Sequence, residues 1–177
     1  MEGAAAFKGD KLIGWLTPEQ TNGLHYINNK IKSGIINVPA PNRKDAYVTI
    51  ERIRGLNTIK MELDGEEIKI TINVKARGAL AGQQIDIDLA NPDMLEVLET
   101  KCEEAIKAKI NDTVMVAQKE LESDILGFGE AIRRDELSVW KKIEADWEEL
   151  FPSIPVEINV VFEILRTGLT SKPLEIQ

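Results

Sequence analysis

A chain of 177 residues with 43% hydrophobic content is long enough to bury a core of its own, and residues 1–177 read as a single domain. Its 30 acidic against 22 basic residues give a net charge of -8 and a pI of about 4.9, the wrong sign for attracting phosphate, which excludes nucleic acid as a general partner. One cysteine, Cys102, and one histidine, His25, exclude an intrachain disulfide and a zinc site of Cys and His ligands, and no stretch approaches the roughly 20 apolar residues of a membrane span.

The opening MEGAAAFKGD has neither the basic nor the apolar region of a signal peptide, and a strand pattern starts already at Ala4, as expected of a piece cut from a longer chain. Residues 4–8 and 11–16 flank Gly9 and Asp10, which predicts a hairpin with a two-residue turn. Thr17, Pro18, Glu19 and Gln20 then form a capping-box pattern: a hydroxyl N-cap, proline at the first helical position, and an amide placed to reach back. The helix they open is expected over residues 18–30.

Residues 33–38 read as strand until Pro39 and Pro41, which cannot donate to a ladder, break it. From residue 46 to 74 apolar and polar residues alternate in long strands around a turn at Asp64 and Gly65. A two-residue turn there pairs Met61 with Ile68, and a four-residue loop pairs Leu63 with Ile68. Both keep one apolar face, which continues through Ile72 and Val74. Gly78 and Gly82 interrupt a further strand-like stretch ending in Ile85, Asp86, Ile87 and Asp88, where alternation places the two carboxylates on one solvated face.

The longest helix opens with Asn91 as N-cap, Pro92 at the first position and Asp93 favourable to the helix dipole, and is expected to run to about Ser123. Its apolar line is Leu95, Leu98, Cys102, Ala105, Ile106, Ile110, Val114, Ala117 and Leu121, the spacing of a helix face lying on a sheet. Gly127, Phe128 and Gly129 predict a bend between helices. A last helix is expected to carry Trp140, Ile143, Trp147, Leu150 and Phe151 on one stripe until Pro152 and Pro155 stop it. Val156, Ile158, Val160, Phe162 and Ile164 alternate as a final strand, which must pair with strands far back in the chain.

Motifs that carry chemistry do not emerge. Cys102 falls on the apolar stripe of the long helix, where a thiol serves as a small hydrophobe, and His25 on its short helix reads as structural. Thr170, Ser171 and Lys172 lack the glycine pattern of a phosphate loop, and the serines stand outside any nucleophile-elbow sequence. With so many acidic residues, carboxylate pairs arise by chance and read as solvated surface. No catalytic residue, metal or cofactor is expected.

Four segments together resemble the C-terminal domain of the Ger(x)C family, the lipoprotein C subunit of the nutrient germinant receptor in bacterial spores. They are GAAAFKGDKLIGWL from Gly3, SDILGFGEAI from Ser123, the tryptophan helix, and LFPSIPVEINVVFEILRTGLTSKPL from Leu150. They span essentially the whole chain. The resemblance implies a non-enzymatic receptor subunit, anchored by lipid at the outer face of the spore inner membrane beside an A subunit and a transporter-like B subunit. The chain has no amino-terminal lipobox cysteine, and Cys102 is mid-helix, so it corresponds to about the last half of such a protein, soluble by itself.

The fold expected is α+β: a largely antiparallel or mixed twisted sheet, packed on one face by the long helix and shorter helices. The function expected is docking to other receptor subunits, with Phe128, Arg134, Trp140 and Trp147 as interface residues. Two rival expectations are a small-nutrient-binding domain, which requires a concave pocket with a few polar groups, and an enzyme acting on spore polymers through an acidic pair.

Overall fold

The computed structural model describes residues 3–30, 34–41, 45–64, 67–83 and 91–165, with side chains described throughout these except at 52–54, 61–64, 67 and 82–83. The expectations at Asp86 and Asp88, at Thr170 to Lys172, and for the register of the Asp64 turn lie outside the described residues or side chains.

Strands β1 (Ala4–Lys8) and β2 (Lys11–Leu16) pair antiparallel from Ala4 opposite Leu16 to Lys8 opposite Lys11. Gly9 sits at φ +62°, the left-handed conformation that a tight hairpin turn demands. The register shifts between Ala6 and Phe7, leaving Ile13 as an extra residue on β2. Ala6 and Leu16 face the core, whereas Phe7, Leu12 and Trp15 stand outward at 55%, 45% and 70% exposure.

Helix α1 (Pro18–Ile27) has the full capping box: Gln20 N donates to Thr17 Oγ1 at 3.2 Å, and Thr17 N donates to Gln20 Oε1 at 2.9 Å. It stops three residues short of the expected end because Asn29 turns left-handed, at φ +54°. The Asn29 side chain then clasps β4 (Tyr47–Asp64), accepting from Asn57 N at 2.8 Å and donating to Asn57 O at 3.2 Å. One side-chain amide thus serves the backbone as a neighbouring strand would. Asn57 Nδ2 donates back to the carbonyls of Tyr26 and Ile27 at the end of α1.

A four-stranded sheet runs in the order β3 (Gly34–Pro39), β4, β5 (Glu67–Gln83), β6 (Val156–Leu165). Strand β3 is antiparallel to β4, from Gly34 opposite Arg52 to Pro39 opposite Tyr47. Ile68, Ile70, Ile72 and Val74 are buried, so the apolar stripe expected of β5 is its core face. The strand runs on through Gly78, where the Ile50 and Phe162 side chains close over the backbone. Strand β6 runs parallel to β5: Ile70 N donates to Pro155 O, Lys69 pairs with Glu157, and Asn159 Nδ2 donates to Asn73 Oδ1. The sheet is therefore mixed, and the fold α+β.

Helix α2 (Pro92–Met115) starts on Asn91, whose Oδ1 accepts from Asp93 N at 3.0 Å. Leu98, Cys102 and Ile110 on its apolar line have no exposed surface. Glu103 and Glu99 on the same helix accept from the β6 backbone, from Phe162 N at 2.9 Å and Ile164 N at 2.8 Å, so among the described residues the outer edge of the sheet meets carboxylates rather than a further strand. Cys102 lies between them. Its burial, followed by the charges of Glu99 and Glu103, pushes the thiol up to about 12 and keeps it neutral.

The α-ladder does not continue to Ser123. It widens at Val116–Glu120 into a π-turn, with Leu121 N donating to Val116 O at 2.9 Å. The wider turn sets Gln118 beside Val116 and Ala117 on the buried side, where its Nε2 donates to Phe151 O and Ile154 O, each at 2.9 Å. Helices α3 (Phe128–Asp135), α4 (Leu137–Ile143) and α5 (Trp147–Leu150) follow. The single last helix expected from the tryptophan stripe is therefore two short ones, because the backbone leaves the helical region at Asp146, with φ -107° and ψ 6°.

Contacts gather the chain into two compact units, one of Met1–Lys30, Asn57–Val74 and Lys107–Asn159, the other of Ile31–Leu56, Lys75–Ile106 and Val160–Gln177. The first contains the hairpin, α1 and helices α3 to α5; the second contains β3; β4, β5, α2 and β6 contribute residues to both. Within the first unit, α1 and α2 touch at Gly23, where a methyl group would overlap the Lys109 carbonyl oxygen and the Thr113 hydroxyl. The Thr113 hydroxyl lies 2.9 Å from Gln20 O and 2.8 Å from Lys109 O.

Candidate functional site: a tryptophan cleft

One carboxylate organises the surface of the first unit. Gly127 has φ +79°, and the chain turns there into α3 with its first amides pointing back toward Asp124. Asp124 Oδ1 accepts from Gly127 N at 2.9 Å and Phe128 N at 3.0 Å, and Oδ2 accepts from Gly129 N at 2.7 Å. Amides left unpaired at the start of a helix attract negative charge, so the carboxylate caps α3. The same Oδ2 accepts from the Trp147 indole Nε1 at 3.2 Å, tying α5 to the start of α3. The glycine bend expected between helices is thus a capped helix start, and Asp124 is the residue that sequence reasoning missed. Its signal was an acidic residue three positions ahead of the Gly127-Phe128-Gly129 run, the spacing of a cap.

Gly129 makes room for the rings. The position a Cβ would take is 2.8 Å from Trp147 Nε1 and 3.1 Å from the Trp140 ring. Trp140 meets Trp147 edge to face, with centroids 5.6 Å apart and planes at 64°. Trp147 continues to Phe151 at 6.0 Å, and Phe151 to Phe128 at 6.2 Å. This aromatic series leads from a half-buried ring, Trp140, through Trp147 at 8% exposure, to two rings inside the core.

Of the four residues singled out in the sequence, the fold brings Trp140 and Trp147 into contact, with Trp140 half-buried and Trp147 buried. Phe128 has no exposed surface and supports them from beneath. Arg134 stands apart on the exposed side of α3, its guanidinium paired with Asp135 at 2.8 Å.

The tryptophans line a cleft of about 360 Å³ together with Phe7 and Lys8 of the hairpin and with Glu122, Glu130 and Glu148. Lys8 Nζ reaches Glu148 Oε2 at 2.9 Å, and Glu130 holds Arg133 through two hydrogen bonds of 2.9 and 3.0 Å. The Arg133 hydrogen bond, together with the Arg133 and Arg134 charges, holds the Glu130 carboxyl below its usual range. The exposed aromatic surface of the cleft, from Phe7 and part of Trp140, thus lies among carboxylates. Among the described residues no group of three or more His, Cys, Asp and Glu side chains is arranged to hold a metal, and no helix is long and apolar enough to cross a membrane.

A mixed sheet backed by a long helix defines an α+β fold that a solved structure shares. The crystal structure of the GerBC protein superposes with a TM-score of 0.81, over 93% of this chain and 51% of that one, at 22% identity. The chain belongs to the spore germination B3/GerAC-like family, whose C-terminal model matches residues 2–168. This is the Ger(x)C family of germinant-receptor C subunits. Spore germination protein KC of Bacillus subtilis is 26% identical over 178 residues, 99% of this chain and 43% of the relative. Spore germination protein B3 of the same organism is 24% identical over 97% of this chain and 46% of its own length, and GerQC of Bacillus cereus is 21% identical over 96% and 46%. The chain therefore spans less than half the length of each of these relatives.

Proposed function

We propose that this chain acts in nutrient-triggered spore germination as a recognition domain rather than an enzyme, docking to other subunits of a germinant receptor of the A and B membrane-protein types. In the complete protein it works at the outer face of the spore inner membrane, held there by a lipid anchor. The observation that carries the reading is the tryptophan cleft. Asp124 holds the Trp147 indole and both rings pack over Gly129, yet Trp140 keeps part of its ring at the surface. A preorganised, partly exposed aromatic pair is the kind of anchor that supplies most of the energy at protein interfaces. The relatives, all named as spore germination proteins, support the process to which it belongs.

The test is Trp140→Ala in the complete protein in spores, with Trp140→Phe as a variant that keeps an aromatic ring. Expected is impaired nutrient germination for Trp140→Ala, with the protein at its normal level and the melting temperature of the 177-residue chain within a few degrees of the parent. Normal germination would overturn the reading. A germination loss matched by equal losses of abundance and melting temperature would make it a folding defect, which also removes the surface role.

A further inference from the structure

We propose that the tryptophan cleft is an anchor site for an arginine side chain presented by a protein partner. The inference rests on the recognition role above and names what that surface takes hold of. Two chemistries meet in the cleft. Its walls keep aromatic area exposed among the described residues, with Trp140 half-buried and Phe7 55% exposed. Its lining carries Glu122, Glu130 and Glu148 against a single lysine, Lys8; Glu130 is paired with Arg133 and Glu148 with Lys8, which leaves Glu122 as the carboxylate without a partner among the described residues. A guanidinium suits both: its plane stacks on a ring, and its N–H fork reaches carboxylates at the edge.

Lys8 extends from the hairpin to Glu148 at 2.9 Å with the two side chains 45% and 73% exposed, an exchangeable surface pair over the mouth of the cleft. Glu122 makes no hydrogen bond or ion pair with any described residue and stands exposed on the lip, so its carboxylate is free for an incoming donor. The volume of about 360 Å³ is at the small end of ligand pockets, the scale of one inserted side chain rather than a helix or strand. A net charge of -8 over the chain favours approach by a basic partner.

The experiment titrates the 177-residue chain, reading the indole N–H resonances of Trp140 and Trp147, with three probes: a capped glycine pentapeptide with arginine at its centre, the same peptide with citrulline, and choline. The arginine peptide is expected to shift both resonances saturably at millimolar concentration. The citrulline peptide should bind about fivefold more weakly, and Glu122→Gln should weaken arginine binding about threefold, the range that partly exposed cation–π and charge contacts supply. No saturable shift, equal binding of the citrulline peptide, or undiminished binding to Glu122→Gln would each overturn the arginine anchor. Choline displacing the peptide at equal or lower concentration would make the cleft a small-cation site and overturn it as well. If the peptides fail while Trp140→Ala still impairs germination, the recognition role stands and only the arginine anchor falls. If Trp140→Ala spores germinate normally, the recognition role falls whatever the peptides do.

Discussion

Replacing Asp124 by alanine separates the two tasks of a single carboxylate. Three backbone amides at the start of α3 and the Trp147 indole lose their acceptor together. Loss of an N-cap costs about 1 kcal/mol. Stranding an indole N–H on a ring only 8% exposed costs about 1–3 kcal/mol more. Asp124 is half-buried, so water replaces part of what is lost, and the expected destabilisation is about 2–3 kcal/mol, or roughly 5–10 °C in melting temperature for a chain of this size. Asp124→Asn keeps Oδ1 for Gly127 and Phe128 but turns an amide donor toward Gly129 N and Trp147 Nε1, so it should lie between parent and alanine. Urea unfolding followed by tryptophan fluorescence measures both, and an unchanged slope would show that the unfolded state is not the cause. A loss below about 0.5 kcal/mol for Asp124→Ala, or asparagine less stable than alanine, would refute the shared-acceptor argument.

Three further outcomes follow from the packing. Gly23→Ala should cost about 2–3 kcal/mol by overpacking α1 on α2, and adding Thr113→Ala should not restore stability, because the backbone carbonyl of Lys109 remains in the way; recovery in the double variant would show that only the hydroxyl obstructs. Cys102, with its thiol pushed up to about 12, should resist a disulfide reagent at pH 8 in the folded chain and react only on unfolding. Because the unfolded thiol ionises near pH 8.5 while the folded one stays neutral, stability should be full below that pH and fall as pH rises toward 12. Rapid stoichiometric labelling of the native chain would contradict the burial.

Local chemistry made much of this fold legible. The hairpin around Gly9, the Thr17 capping box, the Asn91 cap and the buried stripe of α2 each follow from residues within a few positions of one another, where periodicity and hydrogen-bond valence act without help from the rest of the chain. The family, too, was legible, because four segments along the chain carry it. What sequence left open depended on partners distant in the chain. The tryptophan stripe reads as one helix, yet Asp124 draws in Trp147 from 23 positions away and the chain breaks at Asp146. The parallel direction of β6, the carboxylates of Glu99 and Glu103 on its edge, and the cleft between the hairpin and the indoles belong to the same class. Spacing along a chain settles which face a residue occupies, because that is geometry within one element. Which faces meet is decided only when the whole chain satisfies its buried polar groups together.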